Sequence, residues 1–148
     1  MIYLHRQDND DDIDGEHRFW AGDGDDIVYI GKNWETGFGY GGSGNDTFYL
    51  PETFGDTQRF YGGDGNDSML AIPFDEAADN MAEGQMNLYG GAGDDWLEST
   101  SKTNIVLVEG GDGNDKIIGG QMFAEEYLYG QDGDDILYGG SETPAGNS

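Results

Sequence analysis

The chain has 148 residues, 31 of them acidic against 6 basic, for a formal charge of −25. With 27 glycines and only 35% hydrophobic residues, such self-repulsion keeps a chain unfolded until something neutralises the carboxylates. Nucleic acid and anionic membrane, being negative themselves, are poor partners, no stretch is apolar enough to span a bilayer, and the lack of cysteine removes disulfides and thiolate metal sites.

The first element in chain order is a short strand, Ile2-Tyr3-Leu4. The start, Met1 to Asp8, lacks the apolar core of a secretory signal peptide, so export uses another route or the chain is a mature or excised piece. From Ala21 a nine-residue pattern begins to recur. Near-copies start at Ala21 (AGDGDDIVY) and Gly130 (GQDGDDILY), and clean copies at Gly41 (GGSGNDTFY), Gly62 (GGDGNDSML), Gly90 (GGAGDDWLE) and Gly110 (GGDGNDKII). Arg6 to Asp14 aligns as a fainter seventh copy under Gly130 to Tyr138, with Asn9 at the fourth place, where glycine usually supplies a left-handed backbone. Read without that register, the same stretch is an acidic leader.

The sixth-position aspartates are Asp11, Asp26, Asp46, Asp67, Asp95, Asp115 and Asp135, separated by 15, 20, 21, 28, 20 and 20 residues. The eighth position is apolar throughout: Ile13, Val28, Phe48, Met69, Leu97, Ile117 and Leu137. Two residues before each copy stand Leu4, Phe19, Gly39, Phe60, Leu88, Val108 and Leu128. Alternation around both columns predicts two strands per repeat, meeting in a thin core. The residues immediately before the copies, His5, Trp20, Tyr40, Tyr61, Tyr89, Glu109 and Tyr129, fall by parity on an outer face where aromatics stack.

The longest interval, 71–87, reads as an insertion holding a short helix capped by Asp75 and ended by Gly84. Residues 141–148 form a polar tail, and the whole of 1–148 is one domain. No elbow, metalloprotease helix or phosphate loop appears, and acids are so numerous that any pair could be named. The chain is read as a non-enzyme.

The repeat G-G-x-G-x-D-x-U-x, with U apolar, resembles the calcium-binding nonapeptide of the RTX (repeats-in-toxin) family. The resemblance implies an all-β, right-handed parallel β-roll (a β-solenoid) of about seven coils. Family rolls carry calcium loops on both sides; here the intervening stretches hold no motif, which implies one calcium row and one plain side. It also implies ions held between successive coils by the sixth-position carboxylates and loop carbonyls. The expected ligands beyond the seven aspartates are Gly22, Asp23, Gly24, Gly42, Ser43, Gly44, Gly63, Asp64, Gly65, Gly91, Ala92, Gly93, Gly111, Asp112, Gly113, Gln131, Asp132 and Gly133. Five to six calcium ions follow from six or seven stacked loops. At about 4.8 Å strand spacing unneutralised aspartates repel by roughly 3 kcal/mol at an effective dielectric near 20, so calcium binding becomes folding energy.

The resemblance further implies a secreted, extracellular, bacterial protein. Three roles fit. One is a structural protein that stacks head to tail into fibres, since neither end shows a cap. Another is the calcium-triggered folding module of a larger secreted enzyme or toxin. The third is a glycan-binding module using Trp34, Trp96 and Tyr40.

Overall fold

The computed structural model describes residues 2–4, 17–30, 37–51, 57–72, 82–99, 103–119 and 125–139. Regular structure among them is entirely β. One sheet has seven strands, β1 (Ile2–Leu4), β3 (Ile27–Ile30), β5 (Thr47–Pro51), β7 (Ser68–Ile72), β9 (Trp96–Glu98), β11 (Lys116–Ile118) and β13 (Ile136–Tyr138), in that order. The other has six, β2 (His17–Asp23), β4 (Gly37–Ser43), β6 (Gln58–Asp64), β8 (Ala82–Ala92), β10 (Thr103–Asp112) and β12 (Glu125–Asp132), also in chain order. Each even strand turns through a repeat loop into the next odd strand, and every pairing is parallel. The result is a parallel β-solenoid, as the repeat implied, with six loops along one side.

Both expected core columns meet inside. Val28, Phe48, Met69, Leu97 and Ile117 are fully buried, opposite Phe19, Phe60, Leu88 and Val108. A second pair of columns, Ile30 and Leu50 facing Met86 and Val106, is buried as well, so the core is wider than two columns. It escapes a sequence reading because the same register places also hold Gly37, Gln58 and Ser99, which interrupt the apolar signal. Gln58 and Ser99 are nonetheless fully buried.

Gly39, the odd member of its column, has a packing reason. A Cβ there would enter the Phe19 ring and lie 2.8 Å from Phe60 Cδ1. Rings from the two neighbouring coils fill the space, and both pack against Phe48 at centroid distances of 5.8 and 6.3 Å. The column alone suggests that an apolar residue at 39 would fill a hole. The structure predicts the reverse: Gly39→Val should overpack and cost roughly 1–3 kcal/mol, read as a lower thermal midpoint in saturating calcium.

Three expectations change. Leu4 was placed in the Phe19 column, but β1 pairs with β3, setting Ile2 beside Val28 and Leu4 beside Ile30. Leu4 thus ends its strand on the side away from the loops, where His17 begins β2. The Arg6–Asp14 copy, with Asp11 and Ile13, lies outside the described residues. Gly84 does not end a helix: it is buried within β8, and Ala71 and Ile72 complete β7. Asp75 lies outside the described residues. Leu137, expected in the core, is 43% exposed because β13 is the edge strand of its sheet among the described residues.

Candidate metal centre

The loops are built by backbone conformations that glycine permits. Second- and fourth-position residues have positive φ in every described loop, from Gly22 and Gly24 to Gly113 and Gly133. Gln131, at 77°, is the non-glycine member. A Cβ on Gly63 or Gly65 would strike the carbonyl oxygens of Gly42 or Gly44 in the preceding coil, so these positions need glycine for both φ and space. The first-position glycines differ. Their φ is ordinary, but a Cβ on Gly41 would fill the space between Asp46 Oδ2 and the carbonyl oxygen of Gly62 in the next coil. The same oxygen pair flanks Gly62 (Asp67, Gly90), Gly90 (Asp95, Gly110) and Gly110 (Asp115, Gly130).

Each sixth-position carboxylate reaches back one coil. Asp26 N–H donates to Asp46 Oδ1 at 2.8 Å, Asp46 to Asp67 at 2.7 Å, Asp67 to Asp95 at 2.7 Å, Asp95 to Asp115 at 2.9 Å and Asp115 to Asp135 at 2.9 Å. The other oxygen has no such use. Oδ2 of Asp46, Asp67, Asp95 and Asp115 is buried without a hydrogen-bond partner. An orphaned, buried carboxylate oxygen is costly unless a cation or proton meets it.

The acid–base balance records that cost. Burial, resisted by the N–H of the preceding coil and reinforced by neighbouring aspartates, pushes Asp67 up to about 6 and Asp95 to about 7. Asp46 and Asp115 are also raised, again mainly by burial. Among the described residues no three carboxylate or imidazole side chains cluster in metal-binding geometry. Backbone carbonyls together with the carboxylates would give a cation here an all-oxygen set, suited to a hard ion.

The expected ligands fall into distinct places. Asp46, Asp67, Asp95 and Asp115 form the buried row, with Asp26 and Asp135 half-buried at its ends. Carbonyls of the third-position residues Ser43, Asp64, Ala92, Asp112 and Asp132 accept the fourth-position N–H of the coil before, at 2.6–2.9 Å, which leaves each a second lone pair. Asp23 stands apart in taking a hydrogen bond from Ser43 Oγ through its side chain, at 2.8 Å.

Two features went unforeseen. The first-position carbonyls, not counted as ligands, face the orphaned Oδ2 atoms. The fifth position forms a ladder of opposite sense, in which the backbone N–H groups of Asn45, Asn66, Asp94, Asn114 and Asp134 each donate to the fifth-position Oδ1 of the preceding coil, at 2.7–3.0 Å. Its signal was in plain view, since all six described copies carry Asp or Asn there.

A four-copy family model of the RTX calcium-binding nonapeptide repeat matches residues 18–32, 40–50, 55–71, 87–101, 107–121 and 126–142, more than half of the chain. The chain belongs to the RTX calcium-binding repeat family. No curated protein and no solved structure matches it. RTX nonapeptide repeats bind calcium, and the roll is a structural calcium-binding domain.

Two of the three aromatics expected to bind glycans have ring faces that are already occupied. Tyr40 is sandwiched between Trp20 and Tyr61 at 5.7 and 4.8 Å. Trp96 carries the Lys116 ammonium 4.1 Å above its ring. Trp34 lies outside the described residues.

Proposed function

We propose that this protein is a calcium-gated structural element that acts outside the cell, unfolded or loose without calcium and a rigid roll with it. The observation that carries this reading is the row of four buried, unpartnered Oδ2 atoms, stacked in consecutive coils. Deprotonated and unneutralised, they oppose the fold; bound to calcium, they hold adjacent coils together. Asp26, Asp46, Asp67, Asp95, Asp115 and Asp135 supply the carboxylates, with loop carbonyls completing the 6–8 oxygens calcium takes. Six described loops leave five gaps, hence five ions. A calcium requirement of ~10⁻⁴–10⁻³ M, typical of extracellular modules, makes the extracellular calcium level the trigger. The same property serves a folding module of a longer secreted enzyme or toxin equally well.

End-to-end stacking is a second part of the proposal, supported by the exposure of β13, the last described strand. Ile136, Leu137 and Tyr138 are 53, 43 and 57% exposed there, on strand edges that invite another chain. Head-to-tail contact sets β13 beside β1 of the next copy, but β12 then faces β2 across one strand position that no described strand fills, because β1 extends its sheet one strand further. A seamless fibre therefore needs that position filled. The glycan reading draws little support, since carbohydrate stacking uses ring faces that Tyr40 and Trp96 give to other groups.

Circular dichroism and sedimentation on one calcium titration test both parts. The far-ultraviolet signal should pass from coil to β near ~10⁻⁴–10⁻³ M calcium and return with chelator, while sedimentation reports growth beyond a monomer. Equal β signal and heat stability without calcium would overturn the gating; a strict monomer in saturating calcium at high protein concentration would overturn the stacking.

A further inference from the structure

The outer face of the six-stranded sheet carries a column of rings. Trp20, Tyr40, Tyr61 and Tyr89 are paired in register across β2, β4, β6 and β8. Successive planes lie within 5–7° of parallel, and centroid separations shorten along the column, from 5.7 to 4.8 to 4.6 Å. The stack stops where Glu109 stands beside Tyr89. Tyr61 and Tyr89 are its closest pair, and both are partly exposed.

We propose that Tyr61 and Tyr89 form an oxidative cross-linking site, converted to dityrosine by hydrogen peroxide and a haem peroxidase. Each phenol gives up one electron and one proton, and together these reduce one peroxide to two waters. The two phenoxyl radicals form one carbon–carbon bond between ring positions ortho to oxygen. Each bonded carbon then passes its hydrogen to its own ring oxygen, which restores both aromatic rings and both hydroxyls. In-register strands hold the partners face to face before oxidation, so coupling within the chain outcompetes collision between chains. Tyr40 also touches Tyr61, but its other face is covered by Trp20, and its separation is wider.

The site has a use particular to this chain. Without cysteine it has no disulfide to fix the fold once formed. A Tyr61–Tyr89 bond joins β6 to β8 across the longest interval between repeats. Closing that loop restricts the unfolded chain as a disulfide does, so the oxidised roll should fold at lower calcium. The inference rests on the calcium-gated reading, because the pair is brought together only in the folded roll.

The full chain is treated with a haem peroxidase and hydrogen peroxide, in calcium and in chelator, with circular dichroism on every sample and peptide mapping of the monomeric product. In folded samples we expect dityrosine fluorescence and one intrachain peptide joining Tyr61 to Tyr89, lighter by two hydrogens. It should be lost in chelator and in Tyr61→Phe or Tyr89→Phe, both of which keep a stacking ring and should fold normally. The calcium midpoint of the cross-linked roll should also fall. A folded chain that cross-links only between molecules, or that yields the same peptide when unfolded, would overturn the site while leaving calcium gating intact. A chain that is folded in chelator and still yields the peptide would keep the site and remove the gating.

Discussion

Asp67→Asn and Asp67→Ala should part company, one raising the calcium needed for folding and the other also destabilising the folded roll. Asp67 has two tasks on two oxygens: Oδ1 accepts the Asp46 N–H at 2.7 Å, and Oδ2 is buried without a partner. Asparagine keeps an acceptor for that N–H and removes one of the stacked charges. The calcium-free chain should therefore be no less compact than the wild type, while the calcium midpoint for folding rises by at least ~10-fold, the equivalent of about 1.4 kcal/mol. Alanine removes both oxygens and leaves a buried N–H unsatisfied, which adds roughly 1–3 kcal/mol to the loss. Denaturant melts with and without calcium separate the two. Identical behaviour of Asn and Ala would mean that only charge matters at this position and that the inter-coil hydrogen bond contributes nothing.

The division of labour between those oxygens was not legible in the repeat, although the repeat itself was. Spacing placed Asp46, Asp67, Asp95 and Asp115 in one row, and alternation placed Val28, Phe48 and Met69 against Phe60 and Leu88, because parallel coils of nearly constant length translate sequence period directly into space. The aromatic column followed from parity for the same reason. Reasoning failed where the period broke. Leu4 looked like a loop-approaching residue because Arg6 to Asp11 aligns with the repeat, yet strand pairing with Ile30 depends on the edge left open by β3, which composition does not encode. Gly84 resembled a helix end after an alanine-rich stretch, yet the edges of β6 and β10 draw the chain into β8, where pairing outweighs local propensity. The first-position glycine is a clearance requirement, set by an oxygen from the next coil that spacing alone does not reveal.

Acid should favour the calcium-free roll and weaken its dependence on calcium. Asp67 and Asp95, raised to about 6 and about 7 in the folded chain, have ordinary values near 3.9 when unfolded. Between about 4 and 7 the folded state therefore holds more protons than the unfolded one, and stability without calcium falls as pH rises through that window. Asp46 and Asp115 shift in the same direction and add to the slope. Near pH 5 a proton on Asp67 and Asp95 meets part of the need that calcium meets near pH 7.5. Chelated protein should gain β signal and resist urea better at the lower pH, and the stabilisation added by calcium should shrink, since calcium must then displace protons. A calcium-free chain that loses structure on acidification from pH 7.5 to 5 would contradict the placement of these carboxylates in a buried row.

The most direct test is to count calcium ions on the folded chain by native mass spectrometry, in the wild type and in two single variants. Six stacked loops with shared carboxylates predict a saturable load of five ions. Asp95→Ala, in the middle of the row, should lower it by removing a ligand from adjacent gaps, whereas Glu125→Gln, an acid on exposed β12 away from the loops, should leave it unchanged. A load that keeps rising with calcium, or that falls alike in both variants, would show that calcium merely screens the charge of −25 and occupies no row of built sites.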